Sequence, residues 1–192
     1  MTRRQAIARV TALLGGAALV GGTGLLRAAA REREYRDNEL FSRADIAWLD
    51  EVAETLLPET DTPGAKAAGV GPFMALMVND VYAPEEQEVF RDGMQTLEEA
   101  CRAEYGKGFL EAAAAERLAL LERIDREQHA WMEARADDTP VHYFRMMKEL
   151  ALLGYFTSEV GYTQAMRYVE TPGRFDPCTP HAHGDRIWAN HL

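Results

Sequence analysis

The sequence predicts an all-α domain, a single compact unit of about five to six helices ending in an irregular C-terminal arm. Three observations carry this. Apolar residues recur three and four positions apart through most of the chain. Sustained period-2 alternation, the mark of half-buried strands, is absent. Proline and glycine stand at the starts and stops of the periodic stretches rather than inside most of them.

The elements follow in order. Residues 31–41 are charged and read as a loose lead-in. Ser42, with Asp45 three positions on, reads as a helix start. Ile46, Leu49, Val52, Ala53 and Leu56 form its stripe, and Leu57-Pro58 stops it. Glu59 to Gly71 is rich in Pro, Gly and Thr and reads as an ordered loop. Pro72 is placed to open a second helix, with Phe73, Leu76, Met77 and Val81 on one side. Pro84 opens a third, striped by Val89, Phe90, Met94, Leu97, Cys101 and Tyr105 and closed by Gly106.

Residues 112–135 hold a fourth helix, with Leu118, Leu121, Ile124, Trp131 and Met132 as its apolar positions. Thr139-Pro140 is read as the cap of a fifth, which uses Tyr143, Phe144, Met147, Leu150, Ala151 and Phe156. Gly154 and Gly161 suggest a break, followed by a short helix from Ser158 to about Tyr168. The expected organisation is therefore a leader over 1–30, a loose segment over 31–41, a helical domain over 42–168 and an arm over 169–192.

The leader has its own logic. A basic start is followed by an uncharged stretch from Val10 to Leu26 and by Arg27-Ala28-Ala29-Ala30, the layout of an export signal with cleavage expected after Ala30. The adjacent Arg3-Arg4 pair points to the twin-arginine route, which carries folded proteins into the periplasm. An ordinary secretory signal and a retained anchor are the other readings. Against an anchor, the apolar stretch carries five glycines, whereas a spanning helix needs ~20 predominantly apolar residues. Ala6 stands where a bulky apolar residue is usual in twin-arginine signals.

Composition narrows the function. Removing 30 residues from 192 leaves 162, and removing four arginines and no acids from a net charge of −10 leaves −14. Such a surface repels phosphate backbones and anionic lipid heads, so nucleic acid is not expected as a partner. Hydrophobic residues make up 47%, enough for a core that needs no disulfide or metal. Cys101 and Cys178 are candidates for an internal bridge, which an oxidising compartment would permit. A bridge to another chain and no bridge at all are the alternatives.

No nucleophile elbow, phosphate-binding loop or dinucleotide fingerprint is present. Nor does any histidine follow a glutamate by three positions, as di-iron bundles require. No catalytic, cofactor-binding or metal-ligating residue is therefore expected in this chain. Two side readings keep local clusters in view. Cys178, His181 and His183, near Asp185 and His191, offer donors for Zn or Cu, though their spacing is unlike structural zinc sites; a stand-alone periplasmic metal-binding protein is the alternative function. An independent helical enzyme using His129 or His183 as base is a third. The plainer reading of the tail is an arm that contacts a partner. Aromatic and Met residues from Tyr143 to Tyr168 read mainly as core, with a surface remainder suited to protein contact.

These residues also carry a resemblance. The leader, the run Leu56-Leu57-Pro58-Glu59-Thr60-Asp61-Thr62-Pro63-Gly64-Ala65 with Ala68-Gly69-Val70, the turn Leu153-Gly154-Tyr155-Phe156-Thr157-Ser158-Glu159, and Pro172-Gly173-Arg174-Phe175-Asp176 are similar to the gluconate 2-dehydrogenase subunit 3 family. The resemblance spans roughly Ile46 to Pro180. It implies a non-catalytic small subunit of a periplasmic complex, membrane-associated through its partners. The large subunit would be an FAD-dependent dehydrogenase of the glucose–methanol–choline type, oxidising a sugar, sugar acid or polyol and passing electrons to a cytochrome c or another carrier. The small subunit would supply the export signal for both. Tyr155, Phe156, Arg174, Phe175, His181 and His183 are the expected partner-contact residues, and no catalytic residue is carried over.

Overall fold

The computed structural model describes residues 40–189 except 138, 172, 175–177 and 181. The described residues form five α-helices, one 3-10 turn and one short π-helical turn. The all-α expectation holds.

Helix α1 spans Arg43–Leu56. Its start is the capping box read from sequence: the Asp45 amide donates to Ser42 Oγ at 3.3 Å, and the Ser42 amide donates to Asp45 Oδ2 at 2.9 Å. The Leu57 amide closes the last turn on the Ala53 carbonyl at 2.9 Å, and Pro58 ends the helix. Ile46, Leu49, Val52 and Ala53 are buried, and so is Asp50 on the same stripe.

Helix α2 spans Val70–Asp80, so it starts two residues before Pro72. Gly69 supplies the left-handed turn at φ 71° that redirects the chain into it. Its buried face is Val70, Gly71, Met74, Ala75 and Val78, whereas Leu76 and Val81 are exposed. The expected face was therefore rotated. The helix is apolar almost all round, so periodicity alone sets no direction. The rotation is fixed by Gly71, whose missing side chain lets the helix sit directly on Asp50: a Cβ there would lie 2.5 Å from Asp50 Oδ1 and 2.7 Å from its backbone nitrogen.

Helix α3 spans Pro84–Tyr105, with Pro84 at its first position and Gly106 at φ 71° ending it, as expected. Phe90, Met94, Leu97 and Cys101 are buried along one side. A 3-10 turn, Phe109–Glu111, leads into α4, Ala114–Ala134. Here Leu120, Leu121, Ile124 and Gln128 are the buried residues, while Leu118 and Trp131 are exposed. The periodicity predicts both in the buried stripe. Leu118 stands at the edge of the packed face, and Trp131 lies in the last turn, beyond Gln128, where the core ends.

Helix α5 spans Tyr143–Thr157. Its cap is not Thr139-Pro140 but His142, whose Nδ1 accepts the Phe144 amide at 3.2 Å. Gly154 does not break the helix; it lets Phe73 of α2 pack against the backbone, and a Cβ would meet that ring at 2.6 Å. The break falls at Ser158, whose hydroxyl donates to the Tyr155 carbonyl at 2.7 Å and accepts the Gly161 amide at 3.0 Å. The π-helical turn Gly161–Ala165 follows, shorter than the expected helix. Helix α5 packs against all four other helices and against this turn. It is the central strut of the domain, consistent with its buried Phe144, Met147, Leu150 and Ala151.

Candidate functional site

Three surfaces around α5 account for the sequence's distinctive segments. The first is the loop from Leu57 to Gly69. Two acidic side chains of α1 hold it and the helix start that follows it. Glu54 accepts the Glu59 amide at 3.0 Å and the Lys66 amide at 2.8 Å, tying both limbs of the loop to one side chain. Gly64 is needed at the crossing, because a Cβ would fall 2.3 Å from Glu54 Oε1. Asp50, 1% exposed, accepts the Gly71 amide at 2.9 Å, which gives an otherwise orphaned amide in the first turn of α2 its partner.

From the other side, the Tyr155 hydroxyl donates to the Pro63 carbonyl at 2.8 Å. Glu51 anchors the outer rim by ion pairs to Arg117 at 2.7 Å and to Lys66. Sequence reading named the loop but missed Asp50 and Glu54. A signal existed: Asp50 interrupts the stripe Ile46, Leu49, Ala53 at helical spacing, and an acid on a buried face requires a specific donor.

The second surface is the C-terminal end of α5. Tyr155 and Phe156 were both expected to face a partner. Tyr155 is only 5% exposed and serves the loop; its ring meets that of Phe156 edge-on at 5.2 Å. Phe156 is exposed, and so are Leu152 and Leu153. Three large apolar side chains within one and a half turns are thus exposed, as are Leu76 on α2 and Val81 just past its end.

The third is the arm. It is irregular, as expected, but its two ends are fastened. The Arg167 amide donates to the Ile187 carbonyl and the Ala189 amide to the Arg167 carbonyl, each at 2.8 Å. The Arg167 guanidinium lies 5.5 Å from the centre of the Trp188 ring and 3.2 Å from Asp185 Oδ1. Asp185 Oδ2 also accepts the Ala182 amide at 2.9 Å. Ala189 and Met166 are buried beneath this clasp, while Ile187 and Trp188 are exposed. Sequence reading did not pair Arg167 with Trp188; nothing in their 21-residue separation announces it.

Of the remaining expected residues, Arg174, Cys178 and His183 are exposed. Arg3, Arg4, Phe175 and His181 lie outside the described residues. Cys101 is buried inside α3, Cys178 lies on the surface, and no disulfide joins them. Burial raises the Cys101 thiol above its usual range, and the carboxylates of Glu98, Glu116 and Glu104 add to the effect; it behaves as a small apolar side chain. Among the described residues no group of three Cys, His, Asp or Glu side chains is placed to hold a metal ion. No helix among them is long and apolar enough to cross a membrane.

His129 stands 3.8 Å from Asp125, which is itself engaged by Lys148 at 2.8 Å. Burial favours the neutral Asp125 acid, but Lys148 and Gln128 outweigh it and hold the carboxyl below the usual range. An ionised carboxylate committed to a lysine is an ordinary structural pair rather than an acid–base device. At the start of α5, His142 stacks on Tyr143 at 4.5 Å, and the Trp131 ring lies 6.1 Å from it. Burial lowers the His142 pKa against the opposing pull of Glu127. Burial, and then Glu127, pushes the Tyr143 phenol up to about 12.

Comparison with known proteins decides the family. The model of a family described as gluconate 2-dehydrogenase subunit 3 matches residues 43–173, well over half of the chain. The chain belongs to the gluconate 2-dehydrogenase subunit 3 family. The match starts at the first residue of α1 and runs through the loop, Tyr155 and the opening of the arm. No curated protein and no solved structure matches the chain.

Proposed function

We propose that this chain is the non-catalytic small subunit of a periplasmic dehydrogenase complex. It binds and stabilises an FAD-dependent large subunit of the glucose–methanol–choline type and conducts it through twin-arginine export. The observation that carries this reading is membership of a family described as a dehydrogenase subunit. The large subunit would oxidise a sugar, sugar acid or polyol and hand electrons to a cytochrome c or another carrier. The flavin resides in that partner, since this chain has no dinucleotide fingerprint.

Two features support the reading. The outward-facing Leu152, Leu153 and Phe156 give the domain an apolar patch of the kind that partner surfaces cover. The Arg3-Arg4 pair gives the complex an export signal that acts on folded cargo. The test is the pair of changes Arg3→Lys and Arg4→Lys. Dehydrogenase activity and both subunits should then remain in the cytoplasm. Undiminished activity in the periplasm would refute the escort role.

A further inference from the structure

One surface takes no part in the loop, the apolar patch or the clasp. A groove of about 640 Å³ runs between the first half of α3, helix α5 and the turn at residues 135–141. Its floor is apolar, formed by Val89, Met146, Val141 and the ring of Tyr82. Its wall is a stripe of carboxylates. Glu85, Glu88 and Asp92 fall at helical spacing on the side of α3 away from the core, and Glu149 faces them from α5. Glu149 is engaged by Arg145 at 2.8 Å, but the carboxylates of Glu85, Glu88 and Asp92 have no hydrogen-bond or ion-pair partner among the described residues. The one cation in the lining, Arg135, donates instead to the backbone carbonyls of Thr139 at 2.6 Å and Asp137 at 3.3 Å. It shapes the turn and neutralises none of the three. The Tyr82 phenol registers the surroundings: burial raises its pKa, and Glu86 and Glu149 raise it further.

We infer that this groove receives a cationic amphipathic segment of the partner dehydrogenase, with Arg or Lys side chains on Glu85, Glu88 and Asp92 and an apolar side chain against Val89 and Met146. The inference rests on the proposed subunit role and names the chemistry of one contact within it. Charge complementarity selects the occupant. Seven residues of helix separate Glu85 from Asp92, a rise of ~10 Å. That is too long for one metal ion and suited to successive side chains of a polypeptide. A second copy of this chain is disfavoured by its net charge of −10, and phosphates and anionic lipid heads are repelled outright. Arginine fits especially well, because its weakly hydrated planar group lies on an apolar floor while its N–H groups reach carboxylates.

The test uses the full chain and its dehydrogenase subunit as a reconstituted complex. Dissociation constants are measured at low and at physiological ionic strength for the unaltered chain and for Glu85→Gln/Glu88→Gln/Asp92→Asn. All three side chains point away from the core, and unchanged circular dichroism and melting confirm that the variant folds. Neutralisation should weaken binding by about tenfold or more and flatten its salt dependence. Glu88→Lys/Asp92→Lys should weaken it further. Tight, salt-dependent binding by the neutralised variant would overturn the groove assignment while leaving the subunit role intact. Absence of binding by the unaltered chain would overturn both.

Discussion

The loop at residues 57–69 and the arm at residues 167–189 look alike in sequence and differ in how they are held. Both are rich in proline and glycine and lack helical periodicity. The loop is fixed by Glu54 and Tyr155, side chains rooted in α1 and α5, and Asp50 of α1 holds the first turn of the helix that follows it. The arm is clasped at its base, where Arg167 meets Ile187, Trp188 and Asp185. Proline and glycine therefore mark where helices end, not how firmly a connection is bound. What separates the two segments is where the anchors are rooted: Glu54 and Tyr155 stand on packed helices, and opening the loop would cost each freed group its partner. The loop seats Gly64 and Ala65 in the interior, whereas the clasp at the arm's base is built on half-exposed side chains.

The contrast can be broken at either end. The largest effect is expected from Asp50→Ala, which strands the Gly71 amide and empties a buried site where the loop passes into α2. Stability in urea denaturation should fall by about 2–4 kcal/mol. A loss under half a kcal/mol would show that the junction of loop and α2 does not depend on this side chain.

Tyr155→Phe removes only the hydroxyl that holds Pro63. It should lower stability by about 1 kcal/mol and speed amide exchange in residues 59–68, with the exchange of α3 unchanged.

His142 lies outside both segments and calibrates the cost of a single cap. Replacing it with Ala should cost about 1 kcal/mol, and replacing it with Asn, which keeps an acceptor, much less. The pH dependence has a definite sign. The folded protein holds His142 below its ordinary pKa of 6.5, so the unfolded chain binds the proton more readily. The stability this residue contributes is present above pH 6.5 and is lost as pH falls through the window from 6.5 down to the folded pKa. Melting curves of the wild type and His142→Asn should diverge in that window and run parallel above it.

Trp188→Ala should change global stability least, by about half a kcal/mol or below, since the ring is half exposed. Its effect belongs to the arm: limited proteolysis should cut between residues 168 and 187 faster, with the helical core intact. Collapse of the whole domain would mean that the clasp is as structural as the loop and would erase the distinction.

Much of this architecture is legible in the chain itself, and the reason is local. The Ser42–Asp45 cap, Pro84 at the head of α3, Gly106 at its end and the Leu57-Pro58 stop all depend on backbone groups within a few residues, so composition in a short window settles them. The all-α class follows from spacing, and the motifs around the loop and the end of α5 point to the family. Tertiary packing decided the rest. Helix α2 is apolar almost all round, and close contacts such as Gly71 on Asp50 and Phe73 on Gly154 chose its buried face. Tyr155 and Phe156 are adjacent and similar, yet one is turned inward by a carbonyl 92 residues away and the other is left outside. Arg167 and Trp188 became neighbours only when the arm folded back. Contacts of that kind join residues far apart along the chain, and a linear pattern carries no distance between them until the helices have packed.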